Sequence, residues 1–300
     1  MTRKITVMLI LLTLVVVGAA FAQTPKKGGT LIFGRGGDSV GLDPAYESDG
    51  NSFMICDNVF EALVEYKDES TELEPLLATS WQISPDGLTY TFNLRKGVKF
   101  HDGTPFNADA VVFSIGRQMK ERKLKFFGKG WELPKQERPP EYWNNMAMDK
   151  TVDSIEAKDE HTVVFKLKTV EAPFLANLGM DFADIISPTA FMKDPAAFVR
   201  NPVGTGPYKF VNLVMDDYFQ IERNDDYFGG KPLVRKITFK QIPDPTVRVN
   251  ALKAGDIQLM LNPKPEDYLA AFATFVRDNP EHVEAIRILH PVAAAFDHFL

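Results

Sequence analysis

Residues 88–94 alternate strictly between apolar and polar side chains, in the order Leu-Thr-Tyr-Thr-Phe-Asn-Leu. A period of two places successive side chains on opposite faces of a β-strand. The run follows the tetrapeptide 84–87, whose Pro-Asp-Gly sequence is typical of a tight turn, and a further strand candidate begins at Trp81. The pattern predicts two antiparallel strands. The residues expected on the buried face are Leu88, Tyr90, Phe92 and Leu94.

Other segments show related patterns and complete the predicted organisation. Further strands are predicted at 98–100, 152–157, 162–168, 208–214, 218–223, 234–242 and 257–261. Helices are predicted at 53–66, 107–122 and 246–254. Asn107 is the expected N-cap of the second helix, and Gly255 ends the third. Because 246–254 lies between two strands, we expect a mixed sheet. Prolines and large aromatic residues between 123 and 148 predict a long surface loop.

The N-terminal residues have the three-part pattern of a secretory signal peptide. Two basic residues precede an apolar run over 5–17, and small side chains follow at Ala20 and Ala22. We expect cleavage between Ala22 and Gln23, which removes residues 1–22 and delivers the mature protein to the periplasm. An uncleaved anchor is the alternative, but a spanning helix needs about 20 apolar residues and this run barely reaches that length.

Cysteine usage and charge limit the possible partners. The only cysteine, Cys56, lies far from the cleavage site, so it cannot carry a lipoprotein anchor, and it has no partner for a disulfide. We interpret it as a small buried residue of helix 53–66. The formal net charge of −6 becomes about −8 when the signal peptide is lost, which disfavours nucleic acid. The one basic cluster, 120–129, includes Glu121 and is typical of a solvated helix end.

The sequence offers little support for catalysis or for a cofactor. No H-E-x-x-H motif occurs, and Cys56 is expected in apolar, unreactive surroundings. The glycine-rich stretch 34–37 follows a short strand but continues into a loop, whereas a dinucleotide-binding turn opens a helix. We therefore predict a soluble protein that is not an enzyme and needs no cofactor.

The histidines do not predict a metal site. None of them forms a closely spaced pair with the helical geometry that metal ligands require. They are His101, His161, His282, His290 and His298.

Three neighbouring stretches carry a family resemblance. Leu-Leu-Ala-Thr-Ser-Trp at 76–81, Ser-Pro-Asp-Gly at 84–87 and the run 90–103 closely resemble the signature of the bacterial extracellular solute-binding proteins of family 5. This is the dipeptide-, oligopeptide- and nickel-binding group. Further matches, in the order and spacing of that family, lie at 107–114, 204–208, 226–232, 242–244 and 251–257.

The resemblance implies an α/β (mixed α+β) protein with the type II, two-lobed fold of periplasmic binding proteins. Residues 23–56 and 185–262 would form the main sheet domain of the first lobe, and 57–184 a domain inserted between them. Residues 263–300 would begin the second lobe. Members of this family are considerably longer, so most of the second lobe is expected to be missing and the chain to be truncated at its C-terminus.

The resemblance also implies capture of a small ligand, a di- or oligopeptide, between the lobes and its delivery to an ABC permease in the cytoplasmic membrane. We expect a monomer. A nickel or metal-chelate ligand and a sensor role outside transport remain the alternatives. Family position places ligand contacts in the loop after the first strand and in a second loop, where turn formation alone is the competing interpretation. The predicted contact residues are Asp38, Ser39, Val40, Gly41, Leu42, Gly204, Thr205, Gly206 and Tyr208.

Overall fold

The computed structural model describes residues 28–136 and 138–261. The strands are β1 (Thr30–Arg35), β2 (Val64–Tyr66), β3 (Leu73–Pro75), β4 (Ala78–Ile83), β5 (Thr89–Leu94), β6 (Leu124–Lys125), β7 (Val152–Asp159), β8 (Thr162–Leu167), β9 (Tyr208–Val214), β10 (Tyr218–Arg223), β11 (Lys236–Gln241) and β12 (Leu259–Met260). The helices are α1 (Gly50–Val59), α2 (Ala108–Gly116), α3 (Glu141–Asn145), α4 (Met148–Thr151), α5 (Phe174–Asn177), α6 (Pro188–Lys193), α7 (Pro195–Phe198) and α8 (Pro245–Ala254), with a 3₁₀ turn at Asp181–Ala183.

One five-stranded sheet has the order β12-β1-β11-β10-β9. β1 runs parallel to both β11 and β12, whereas β10 is antiparallel to β11 and β9. The parallel step from β11 to β12 is made by α8, which Asp244 caps at one end and Gly255 closes at the other with a left-handed φ of 81°. The mixed sheet and this helix are confirmed.

The second five-stranded sheet has the order β4-β5-β8-β7-β6. Its β4–β5 and β7–β8 pairs are antiparallel, which confirms the predicted hairpins, and Trp81 lies opposite Phe92. Tyr90, Phe92 and Leu94 are buried as expected, because the helix α2 covers their side of the sheet. The strands β2 and β3 form a separate two-stranded ribbon.

Two apolar cores accompany the two sheets. One contains the inward side chains of β5, β7, β8 and α2, including Phe165, together with Trp143 of α3. The other lies between the first sheet and α1, where Phe219, Phe239 and Cys56 are buried. The first sheet is built from residues on both sides of the segment that forms the second. The division into a main domain and an inserted domain at 57–184 stays a prediction.

Several predicted boundaries were wrong. The helix expected at 53–66 is α1, which ends at Val59 because the backbone of 62–63 instead pairs with residues 76–78. The helix expected at 107–122 ends at Gly116, although Asn107 caps it as predicted and accepts the Ala110 N–H at 3.0 Å.

The strand predictions at the margins also needed correction. Residues 98–100 form no strand, and only an isolated bridge joins Lys99 to Pro105. The loop predicted at 123–148 contains β6 and α3. The strand expected at 257–261 is confined to Leu259–Met260. The predicted signal peptide at 1–22 and the second-lobe segment at 263–300 lie outside the described residues. Across 28–136 and 138–261, no helix combines the length and apolar character needed to cross a membrane.

Candidate functional site

The loop 38–42 leaves the end of β1 and is fixed by Asp38. The Asp38 carboxylate accepts a hydrogen bond from the Asp216 N–H at 2.8 Å, so it joins this loop to the β9–β10 turn. In the orientation that satisfies both groups, the Gln241 amide nitrogen also donates to Asp38, at 2.9 Å. Arg35 lies 3.7 Å from the same carboxylate. Asp38 therefore ties three strands together at one end of the sheet.

Arg35 lies beneath this loop and is only 1% exposed. Its Nη1 donates to Ser39 Oγ and to the Asn51 carbonyl oxygen, both at 3.0 Å. The guanidinium also lies over the Phe239 ring, 5.7 Å from its centroid. Burial lowers the pKa of Arg35, and the nearby Asp38 carboxylate opposes that effect. The buried cation thus supports the loop from below.

Ser52 holds the centre of the loop from the first turn of α1. Its hydroxyl oxygen accepts the N–H of Val40 at 3.1 Å and that of Gly41 at 3.5 Å, while its hydrogen goes to the Asp49 carboxylate at 2.5 Å. A Cβ at Gly41 would stand 2.5 Å from the Glu47 carboxylate, so a side chain there would displace Glu47. The loop is accordingly rigid before any ligand arrives.

The side chains of the loop point in different directions. Leu42 is buried in the core, whereas Val40 is 70% exposed. The depression between Asp38, Ser39 and the facing α7 and β9 residues measures only about 10 Å³. No ligand fits inside it, so a ligand bound at this loop would lie across its surface, where Val40 is exposed.

Residues 37–41 also match the G-x-S-x-G pattern of serine hydrolases, so an enzymatic role was wrongly disfavoured on the ground that this motif is absent. In hydrolases this pattern links a strand to a helix and places the serine beside a histidine base. Here it continues into a loop, and Ser39 Oγ donates to the Asn51 carbonyl oxygen at 3.0 Å. Across 28–136 and 138–261, no histidine contacts Ser39, so the residues around it do not form a hydrolase site.

The second predicted loop, 204–208, is packed against the other end of α1. The Gly206 N–H donates to the Val59 carbonyl oxygen at 3.0 Å. A Cβ at Gly204 would stand 2.1 Å from that same oxygen, so both glycines are required by this close approach. Tyr208 is buried too, and its hydroxyl donates to the Val234 carbonyl oxygen at 3.1 Å.

Thr205 takes part in a buried network that the sequence analysis did not find. Its hydroxyl donates to Glu61 at 2.7 Å, and the Tyr227 hydroxyl donates to the other Glu61 oxygen at 2.6 Å. Burial raises the pKa of Glu61 to about 7, although both hydrogen bonds favour its ionised form. The pKa of Tyr227 is raised by burial and by the Glu61 charge. No local sequence signal links these residues, because they are 144 and 166 positions apart.

His101, one of the histidines considered for metal binding, also supports the second loop. Its Nε2 donates to the Gly206 carbonyl oxygen at 2.9 Å. Its backbone N–H donates to the Gly204 carbonyl oxygen, also at 2.9 Å. Burial lowers the pKa of His101 to about 4. His101 is therefore neutral at physiological pH and buttresses the loop.

The two predicted loops are not brought together. Loop 38–42 contacts Ser52 and loop 204–208 contacts Val59, and a helix rises about 10 Å over seven residues. Four of the five residues in 204–208 are buried, and their polar groups are used inside the protein. A ligand role for Gly204, Thr205, Gly206 and Tyr208 gains no support from these contacts and stays a prediction.

A wide groove lies beside the first loop and was not predicted. Its volume is about 750 Å³, within the range of small-molecule sites. Arg117 and Asp43 form a bidentate ion pair in its floor, and the Arg117 guanidinium lies over the rings of Phe191 and Tyr46. At the rim, Arg138 donates to Glu47 at 2.8 Å.

Two further findings concern chemistry. Cys56 is buried in α1 as predicted, and burial raises the pKa of its thiol well above the ordinary value. Among residues 28–136 and 138–261, no group of three or more His, Cys, Asp or Glu side chains could hold a metal ion.

The mixed sheet, with a loop at the end of β1, is similar to that of a solved periplasmic binding protein. The Helicobacter pylori ABC transporter-associated periplasmic binding protein DppA, solved with the peptide STSA, is similar with a TM-score of 0.75 and 39% identity, over 83% of this chain and 49% of that one. Residues 72–284 match the family described as bacterial extracellular solute-binding proteins, family 5 Middle, and the chain belongs to this family. The family expected from the motifs and the fold class are confirmed.

Two curated relatives differ in the ligands they are named for. Di/tripeptide-binding protein 1 of Pseudomonas aeruginosa is 38% identical over 267 residues, which cover 83% of this chain and 48% of that protein. Heme-binding protein A of Haemophilus influenzae is 36% identical over 261 residues, covering 82% and 46%. The chain thus spans about half the length of the curated relatives it matches.

Proposed function

We propose that this protein is the extracytoplasmic solute-binding subunit of an ABC importer and that its ligand is a di- or oligopeptide. The observation that carries the proposal is the 38% identity to a di/tripeptide-binding protein over most of this chain. Capture would involve no covalent step, so the protein would not be an enzyme. Heme is the second candidate ligand, because a relative of similar identity is a heme-binding protein.

The loop 38–42 would supply the ligand contacts of this part of the protein. Its rigidity means that binding loses little conformational entropy, and the exposed Val40 would be covered by the ligand. The N–H groups of Val40 and Gly41 are already bonded to Ser52. Across 28–136 and 138–261 no donor reaches the Val40 carbonyl oxygen, so an extended peptide would pair with that oxygen.

The groove beside Tyr46 would accommodate ligand side chains that extend past the loop. Its volume of about 750 Å³ exceeds what the small depression next to Ser39 can offer. The ligand would then be enclosed when a second lobe, expected to begin near residue 263, closes over it. The ligand would favour the closed form because its affinity for that form would be higher than its affinity for the open form.

Export is the second part of the proposal. Residues 1–22 would act as a signal peptide, and the mature protein, beginning at Gln23, would work as a monomer in the periplasm and dock on an ABC permease in the cytoplasmic membrane. Intact mass and N-terminal sequencing of the protein from a periplasmic extract test this step. A protein that stays in the cytoplasm with Met1 intact would contradict it.

Ligand class is tested by thermal unfolding of the protein expressed from its complete reading frame. A ligand that binds only the folded state raises the unfolding midpoint. Trialanine, a set of dipeptides, hemin and nickel chloride are added separately in excess. The proposal expects a rise with peptides. A rise with hemin or nickel alone would overturn the peptide assignment, and no rise with any of them would contradict the binding role.

A variant pair locates the site. Val40→Asp places a charge where the ligand should pack, so peptide binding should weaken at least tenfold. Val170→Asp is the matched control, because Val170 is also a solvent-exposed valine, 62% exposed, but lies beside the β4–β5 turn at Gly87. Equal peptide affinity in the two variants would exclude loop 38–42 as the contact surface.

A further inference from the structure

Arg200 is an exposed cation beside the proposed ligand loop. It lies just past α7, where its backbone N–H donates to the Ala197 carbonyl oxygen at 3.0 Å. Its side chain lines the same small depression as Asp38 and Ser39. Arg200 was not among the residues predicted to contact the ligand.

The guanidinium of Arg200 lacks the kind of partner that other arginines of this protein have. Across 28–136 and 138–261 no carboxylate lies within ion-pair distance of it, and its side-chain contact is with Met215 Sδ, at 2.9 Å. A thioether sulfur is a weak acceptor. Four other arginines are paired with carboxylates: Arg35 with Asp38, Arg117 with Asp43, Arg138 with Glu47, and Arg223 with Asp225.

The nearby acidic groups do not use this cation. Asp38 is already engaged by Arg35 and by the Asp216 N–H. Asp216 and Asp217 follow Met215 in the β9–β10 turn, but neither forms an ion pair with Arg200 within 28–136 and 138–261. Arg200 therefore keeps several N–H donors available on the side of the loop where a ligand would lie.

The shape of the surface determines what can meet these donors. The depression of about 10 Å³ admits no ligand group, so a ligand must lie across its mouth. Met215, 48% exposed, and Arg200 are the exposed side chains that line the depression, and Val40, 70% exposed, directly follows its lining residue Ser39 in sequence. An apolar side chain beside a guanidinium that has no carboxylate partner among the described residues suits a carboxylate next to an apolar group.

We infer that Arg200 binds a carboxylate of the ligand and thereby selects ligands that present a carboxylate beside loop 38–42. The inference rests on the proposed function, since it assumes that the ligand lies on loop 38–42. The carboxylate belongs either to the free C-terminus of a peptide or to an acidic side chain. A guanidinium is the preferred partner for both, because its planar N–H groups match the two oxygens of a carboxylate.

The experiment measures calorimetric affinities of the complete protein for three probes: trialanine, trialanine amide, and the amide of Ala-Glu-Ala. Arg200→Gln removes the charge but keeps a polar side chain. If the C-terminus is the partner, Arg200→Gln should weaken trialanine binding about tenfold, as expected for the loss of one charge-assisted hydrogen bond. The affinity for trialanine amide should then be unchanged. If the acidic side chain is the partner, the Ala-Glu-Ala amide is weakened instead.

Arg235→Gln is the matched control. Arg235 is also exposed, but it lies just before the start of β11. Gln241, which contacts Asp38, lies at the other end of this strand, about 20 Å away. Both variants should keep the wild-type melting temperature, because neither arginine is buried. An equal effect of Arg200→Gln on all three probes, or no effect on any, would overturn the inference while peptide binding stands. If the wild type binds none of the probes, the proposed peptide function fails, and this inference with it.

Discussion

The Arg117 guanidinium donates two hydrogen bonds to the Asp43 carboxylate, although the residues are 74 positions apart in sequence. Asp43 follows the candidate loop directly, and Arg117 follows α2, which covers the second sheet. Both side chains are almost fully buried, so each charge depends on the other for compensation. This ion pair connects the loop of one sheet to the helix of the other.

Removal of Arg117 should be strongly destabilising. Arg117→Ala leaves the Asp43 charge buried without a partner, which costs about 3–5 kcal/mol of unfolding free energy. Urea denaturation measures the change. The exposed pair Lys67–Glu72 is the control, since Lys67→Ala should cost less than about 1 kcal/mol. Similar losses in both variants would show that the buried pair has no special role.

Glu61 should make stability depend on pH. Burial raises its pKa in the folded state from 4.5 to about 7. The folded protein then binds more protons than the unfolded chain between these values, so the free energy of unfolding falls as pH rises through that window. The contribution of Glu61 should therefore make the melting temperature higher at about pH 5 than at about pH 8.

Glu61→Gln isolates this contribution from other titrating groups such as Asp57, whose pKa is also raised by burial. Glutamine can still bond Thr205 and Tyr227 but cannot ionise. The decline in melting temperature across the window should be smaller in the variant than in the wild type. Parallel pH profiles would refute the assignment.

Gly204 should not tolerate a side chain. A Cβ there would overlap the Val59 carbonyl oxygen at 2.1 Å, so Gly204→Ala must shift the loop or α1 and should cost about 1–3 kcal/mol. Gly50→Ala is the control, because nothing lies within 4 Å of its Cβ position and it opens α1. Calorimetric melting compares the two, and an unchanged Gly204→Ala midpoint would contradict the close approach.

Ser39 should be unreactive despite its G-x-S-x-G context. Its hydroxyl bonds to the Asn51 carbonyl oxygen and to Arg35, and neither can accept its proton as a catalytic base does. A fluorophosphonate probe should therefore leave the intact mass of the folded protein unchanged, while a serine hydrolase under the same conditions is labelled. Covalent labelling at Ser39 would revive an enzymatic function.

Local patterns predicted the elements whose geometry depends on neighbouring residues. The β4–β5 and β7–β8 hairpins follow from alternation and turn residues that lie within a few positions of one another. The Asn107 cap and the left-handed Gly255 are equally local. The exposed position of Val40 was not predicted individually, although its loop was proposed from the family resemblance.

Helix ends and the wide groove depended on distant contacts. α1 stops at Val59 because residues 62–63 bond to 76–78. α2 stops at Gly116, where a Cβ would meet Leu124 at 2.5 Å. The floor of the groove beside Tyr46 is formed where Arg117 pairs with Asp43, 74 positions away. None of these partners is adjacent in sequence.

The amino-acid sequence alone determined the family, the hairpins and the alternating buried faces, because side-chain periodicity and turn chemistry act over a few residues. Only the tertiary structure decided that loop 38–42 exposes Val40 and shares a depression with Arg200, while loop 204–208 is buried against Val59. Both loops are rich in the same turn-forming residues. Which of them faces solvent depends on what the rest of the chain packs against it, and that is a long-range property.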